Sequence, residues 1–211
     1  MDIQVWADVI CPWCYIGKRR LEEALRGDST TTVTYRAYQL DPSPVPQPMP
    51  LLQALTPKFG GPDQVAQAWA HVRSFAASDG LELNFERAVA ANTFDAHRLI
   101  AWAAEQGRQA AMLDALQVAH FTDGVDVGSH PALARVAGTI GLDEPAALAY
   151  LASSDGVNAV RADIMAARDF GITSVPTFVI DHKYAIQGAQ ETSALRDAFA
   201  EIRRRESVDA G

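Results

Sequence analysis

The hydrophobic pattern opens with Ile3, Val5, Trp6, Val9 and Ile10, whose loose alternation over residues 3–10 predicts a short buried strand. From Trp13 to Leu25 the apolar positions Tyr15, Ile16, Leu21 and Leu25 recur at helical spacing, and Gly27-Asp28 stops the helix. Residues 30–40 are rich in Thr, Val and Tyr and predict a second strand. Prolines at 42, 44, 46, 48 and 50 follow. So dense a spacing excludes both helix interior and central strand, which leaves an extended connector.

Beyond the connector the pattern turns helical and Ala-rich, from about residue 51 to residue 170. Asp63 is the expected cap of a helix ending at Gly80, and Asn92 or Thr93 opens another that ends near Gly107. A third runs over about 108–122, with Leu113, Leu116 and Phe121 among its core positions. Ser129 with Pro131, and Asp143 with Pro145, mark further starts of the cap-plus-proline kind. The last of the block runs from about Asp155 to Gly171. At Ile172 the period changes back. Residues 176–180 and 184–187 predict two strands joined by Asp181-His182-Lys183, an antiparallel hairpin. Residues 188–205 then predict an amphipathic helix burying Leu195, Ala198, Phe199 and Ile202.

The order is strand, helix, strand, helical block, strand, strand, helix. With the block removed this is the thioredoxin arrangement. The expected fold is therefore α/β, a thioredoxin fold interrupted by a large all-helical insertion. Residues 1–48 and 171–211 form the thioredoxin-like domain, and residues 49–170 the insertion domain.

Composition narrows the function. With 48% hydrophobic residues in 211, the chain can bury a core without staples. Its net charge of −8 and lack of a basic stripe argue against nucleic acid as a partner. Arg203-Arg204-Arg205, flanked by Glu201 and Glu206, reads as a solvated helix end. No segment is long and apolar enough to span a bilayer, and the first residues lack the charged and apolar regions of a secretory leader. The expected location is cytoplasmic. In that reducing compartment the only two cysteines are not expected to form a structural disulfide.

Those two, Cys11-Pro12-Trp13-Cys14, stand three residues apart where strand gives way to helix. On the first turn of a helix they share a face, and the unpaired N–H groups there stabilise a thiolate at the first. Cys11 is thus the expected nucleophile and Cys14 the resolving thiol. Pro12 suits an early helix position. Trp13 is either an apolar contact for substrate or packing against the helical block. Half a zinc site is the competing reading, but His71, His97, His120, His130 and His182 supply no second pair at ligand spacing. No metal is expected. In Ser174-Val175-Pro176-Thr177-Phe178 the proline is either edge-strand punctuation or a cis residue that presents Val175 to the thiols.

Residues 8–18, Asp-Val-Ile-Cys-Pro-Trp-Cys-Tyr-Ile-Gly-Lys, resemble the opening of the FrnE-like branch of the DsbA oxidoreductase family. Asn92-Thr93, Ala96-His97-Arg98-Leu99, residues 171–180 and Gly188-Ala189-Gln190 are similar to its later signatures, in order across nearly the whole chain. The resemblance implies dithiol–disulfide exchange without metal or flavin. Cys11 attacks, Cys14 resolves, and Val175-Pro176 is the cis-proline pair. It places Asn92, Thr93 and His97 on the insertion facing the cleft, although His97 also reads as a satisfied helix histidine. Gln190 lies where the last helix opens, and the N–H groups there either hold a carboxylate or cap the helix. The implied partner is a protein bearing a disulfide or thiol, or glutathione; relatives commonly form homodimers. The fold is shared with kappa-class glutathione transferases and 2-hydroxychromene-2-carboxylate isomerases, which typically carry serine at position 11. A glutathione-dependent isomerase or transferase is therefore the alternative, and a non-enzymatic chaperone or ligand-binding module the third reading.

Overall fold

The computed structural model describes residues 1–209. Four strands, β1 (Asp2–Ala7), β2 (Thr32–Ala37), β3 (Thr177–Ile180) and β4 (Tyr184–Gln187), form one sheet in the order β2-β1-β3-β4. Helix α1 (Pro12–Ala24) is the crossover between β1 and its parallel neighbour β2. β1 pairs antiparallel with β3, with Val5 opposite Phe178, so the first strand and the strand that follows the helical block meet at the centre of the sheet. β3 and β4 make the expected hairpin, with Asp181 and His182 at positive φ in its turn.

Between β2 and β3 stand α2 (Leu51–Phe59), α3 (Pro62–Ser78), α4 (Phe94–Ala104), α5 (Gln109–Val118), α6 (His130–Thr139), α7 (Glu144–Ala152) and α8 (Val157–Asp169). A turn of π-helix, Ala119–Asp123, prolongs α5. The last helix is α9 (Thr192–Asp209). Several boundaries differ from the sequence pattern for local reasons. β1 ends at Ala7 because the chain turns at Asp8, whose carbonyl accepts from the Cys11 N–H. Gly61, not Asp63, caps α3, since Pro62 already occupies the first helical position. α8 starts after Gly156, and α9 starts four residues past Gly188, where that glycine's positive φ and its N–H bond to Pro176 exclude a helix. Asp143 does cap α7, accepting from the Ala146 N–H at 2.7 Å.

One core cluster runs without a break from the sheet (Ile3, Val5, Phe178, Ile180) through α1 and α9 (Leu21, Phe199) into the insertion (Leu99, Leu113, Leu133). Each such side chain contributes about 1.5–3 kcal/mol by leaving water. A second cluster covers another face of α1, where Tyr15 and Ile16 meet Val65, Trp69 and Val72 of α3 and Phe121 of the π turn. α1 is therefore gripped from two sides, and with it the cysteine pair at its start.

The insertion also closes one sheet edge. The Gln109 amide mimics a strand against Tyr35, accepting from its N–H and donating to its carbonyl, both at 3.0 Å. Asp163 of α8 accepts from the Ala37 N–H, and its own carbonyl accepts from Trp6 Nε1. An edge so occupied cannot recruit another strand.

Candidate active site

Cys11 is the residue that caps α1, in extended conformation with φ −91° and ψ 112°, and Pro12 begins the helix. The positive end of the helix dipole therefore faces the first thiol. Both cysteines stand as free thiols, Cys11 4% and Cys14 1% exposed. The Cys11 Sγ lies 3.8 Å from the Val175 carbonyl oxygen, and the Val175–Pro176 peptide is cis. Of the two readings of the SVPTF segment, the structure has the second. Gly188 N–H bonds the Pro176 carbonyl and ties this loop to the chain entering α9.

The two thiols are not equivalent. Cys14 is pushed well above the usual thiol range, first by burial, then by its hydrogen bond with Cys11 and by the charge of Cys11. A backbone hydrogen bond from Asp8 works the other way, and the Asp8 charge adds to the rise. Cys14 is thus held as the protonated member of the pair.

Asp8, wholly buried, was not among the residues the sequence singled out. Its carboxylate accepts from the Leu40 N–H at 2.8 Å and lies 3.3 Å from His97 Nε2. The same nitrogen lies 2.9 Å from the Tyr38 carbonyl. Both neighbours are acceptors, so Nε2 carries the proton. An acid at the end of an apolar strand was the available signal.

The remaining residues occupy distinct places. Trp13, half-buried, packs edge-on against Phe75 and His71 of α3, with centroids 5.3 and 6.0 Å away. Asn92 spends its whole amide on the protein: it donates to the Pro42 and Ser43 carbonyls and accepts from Gln39 and the Phe94 N–H. It fastens the proline-rich strap, residues 41–50, to the start of α4. Thr93 is fully buried, its hydroxyl without a protein partner. Gln190 is exposed, and its amide donates back to the Gln187 carbonyl. Next to it Arg20 of α1, itself buried, joins Asp79 at the end of α3 to Glu191 and the Ala189 carbonyl, each at 2.8–2.9 Å. Among the described residues no group of three or more His, Cys, Asp or Glu is placed to hold a metal ion, and no helix is long and apolar enough to cross a membrane.

The chain is 35% identical to a probable DsbA oxidoreductase from Streptomyces coelicolor, whose crystal structure superposes with a TM-score of 0.89 over 95% of this chain and 89% of that one. It is 25% identical to the uncharacterized protein YwbO of Bacillus subtilis (strain 168), over 97% of this chain and 98% of that one. Cytosolic disulfide reductase DsbM from Pseudomonas aeruginosa, solved with GSH, shares the fold at 19% identity and a TM-score of 0.67, over 97% and 100% of the two chains. Residues 2–200 match the DSBA-like thioredoxin domain, and the chain belongs to that family.

Proposed function

We propose that the protein exchanges thiols and disulfides through Cys11 and Cys14. The observation that carries this reading is the placement of Cys11 at the N-terminus of α1, its Sγ 3.8 Å from the carbonyl of the cis-linked Val175. The positive end of the α1 dipole faces that sulfur. The Cys11 thiolate attacks one sulfur of a substrate disulfide and expels the other as a thiolate, leaving a mixed disulfide. Cys14 then loses its proton and attacks the Cys11 sulfur, releasing the second substrate thiolate. Two electrons pass to the substrate and the pair is left as a disulfide; run backwards, the same steps oxidise a dithiol.

Glutathione is the thiol partner we propose for regenerating the reduced pair. The reading is supported by the shared fold with the Pseudomonas aeruginosa reductase solved with GSH. The loop at Gly188–Glu191, ahead of α9 and braced by Arg20, is where its carboxylate is expected to bind.

The test is insulin reduction by wild type, C11S and C14S. C11S is expected to be inactive and C14S to stop at the mixed disulfide; turnover by C11S equal to wild type would sink the reading. Equilibration of the pair with glutathione buffers then gives its reduction potential, which decides the direction of flow. Failure to form the Cys11–Cys14 disulfide at any poise would also refute it.

A further inference from the structure

β3 enters the sheet ladder only at Thr177, opposite Trp6 on one side and Gln187 on the other. Val175 therefore stands just outside the ladder, with its carbonyl turned to the Cys11 thiol. A polypeptide whose disulfide sulfur reaches Cys11 brings its own backbone N–H groups within range of that carbonyl. How well the two pair depends on where the cis-proline loop is held.

The holding point is the turn that follows β4. Gly188 N–H donates to the Pro176 carbonyl at 2.8 Å, and Gln190 N–H closes back on the Gly188 carbonyl at 2.9 Å, a three-residue turn. β4 is the last strand of the sheet, so no further strand supports this turn. Helix α1 supports it instead. Ala189 packs against the cluster that holds Tyr15 and Ile16, and its carbonyl accepts from Arg20 Nη1 at 2.9 Å.

Arg20 is itself only 3% exposed. Its Nε donates to Asp79, the residue that ends α3, and its Nη1 also meets Glu191, both at 2.8 Å. Reaching three acceptors at once uses the planar fork of a guanidinium, which lysine lacks. The carboxylates of Asp79 and Glu191 already balance the buried charge. The bond to the neutral Ala189 carbonyl therefore serves position rather than neutralisation.

We propose that Arg20 is a positioning residue for polypeptide substrates. Through Ala189 and Gly188 it sets where Pro176 and the Val175 carbonyl stand, and so how well that carbonyl pairs with the backbone beside the substrate disulfide. The proposal rests on the exchange reading of Cys11 and Cys14. Arg20 lies on the same helix that Cys11 caps, so one rigid element carries both the attacking sulfur and the grip on the loop that receives the substrate. The helix rises about 13 Å between the two, so Arg20 touches neither thiol and works through the turn. A disulfide without peptide bonds gains nothing from this arrangement. Arg20 thereby favours polypeptides over such small disulfides.

The test follows single turnovers of reduced protein with no glutathione present. One substrate is a small aromatic disulfide that releases a coloured thiolate at each step, so that the first phase reports Cys11 and the second Cys14. The other is a short peptide whose cysteine carries the same aromatic thiol as a mixed disulfide. R20K keeps a charge for Asp79 but loses the fork. Both phases with the aromatic disulfide are expected unchanged in it. With the peptide, its half-saturating concentration is expected to rise about fivefold to tenfold, the size of one lost backbone pairing, at a limiting rate close to wild type. A peptide N-methylated beside its cysteine already lacks that pairing, so wild type and R20K should use it alike.

Peptide kinetics in R20K equal to wild type overturn the proposal. So does an equal loss on every substrate, which would mark a merely structural residue. Equal use of the plain and methylated peptides by wild type overturns it too, whatever the folding of R20K. D79N is the second variant: it keeps an oxygen for Nε and leaves the bond to Ala189 in place. It is expected to lower stability without weakening peptide binding, and a defect matching that of R20K would move the effect to α3 and refute the assignment to the loop. A wild-type protein that releases no colour from either disulfide would instead refute the exchange reading itself.

Discussion

Gly17 lies in α1 so close to Pro176 that a Cβ at position 17 would stand 2.8 Å from the proline Cγ. The absence of a side chain is thus what lets the cis-proline loop settle against the helix that carries both cysteines. G17A must push the two apart, and overpacking of this kind costs about 1–3 kcal/mol. A shift of the loop of around 1 Å at the reacting sulfur slows exchange by up to roughly 10²-fold. Insulin reduction should fall much further than the urea midpoint. Unchanged turnover would mean that the distance between Val175 and Cys11 is not critical.

The asymmetry of the two thiols gives a pH signature. Cys14 is raised above its ordinary value of 9.0 by burial and by Cys11. In the window between those two values the unfolded chain has lost this proton and the folded chain has kept it. Stability contributed by the neutral thiol is therefore complete below about 9 and lost as pH rises through the folded value. Reduced wild type should lose stability above that pH, and C14A should lose less. Iodoacetamide at neutral pH should modify Cys11 and spare Cys14. Equal alkylation of both would contradict the assignment of roles.

The same residues show what was legible in the chain. The Cys11–Cys14 spacing, the change of period at Ile172 and the Val175-Pro176 dipeptide are local, and each stands where it was expected. Asp8 was not legible, because its partner His97 lies 89 positions away and only the fold brings them together. Gly17 did carry a local sign. A glycine inside a helix costs about 1 kcal/mol relative to alanine, which points to a close approach without naming what approaches. Helix α2 was not singled out, because Leu51–Phe59 mixes Gln53, Thr56, Pro57 and Lys58 with its apolar positions and none of its residues is buried. Asn92 or Thr93 was expected to open α4; Thr93 is its N-cap residue, and the Asn92 side chain, one position earlier, accepts from the Phe94 N–H. Its second task, holding the strap, depends on carbonyls about fifty residues earlier.

His120 makes an opposite contribution to acid stability. Burial lowers it from 6.5 to about 4. Below the unfolded value the unfolded chain takes up a proton that the folded chain refuses. The contribution is complete above 6.5 and is lost as pH falls through about 4. Its size is on the order of 3 kcal/mol. H120Q removes the titration altogether, so its stability should fall less steeply than that of wild type over this interval. Parallel urea titrations at several acidic pH values would show the difference, and parallel slopes would exclude a neutral buried imidazole.

Asn92 allows the strap to be tested apart from the helix cap. N92D keeps the oxygen that accepts from the Phe94 N–H and from Gln39, but loses the donations to Pro42 and Ser43. Those carbonyls are exposed and can turn to water, so the loss should be about 1–2 kcal/mol. The strap has other attachments: Ala90 N–H to the Met49 carbonyl, and the ion pair of Lys58 with Asp41. N92D should therefore leave the fold intact and speed proteolytic cleavage within residues 41–50. Its first residues adjoin Leu40, whose N–H holds Asp8 beside the site. If loosening the strap also slows the Cys14-dependent phase while sparing the Cys11 phase, the strap positions Asp8. If cleavage quickens and both phases stay unchanged, Leu40 and His97 hold that carboxylate without it.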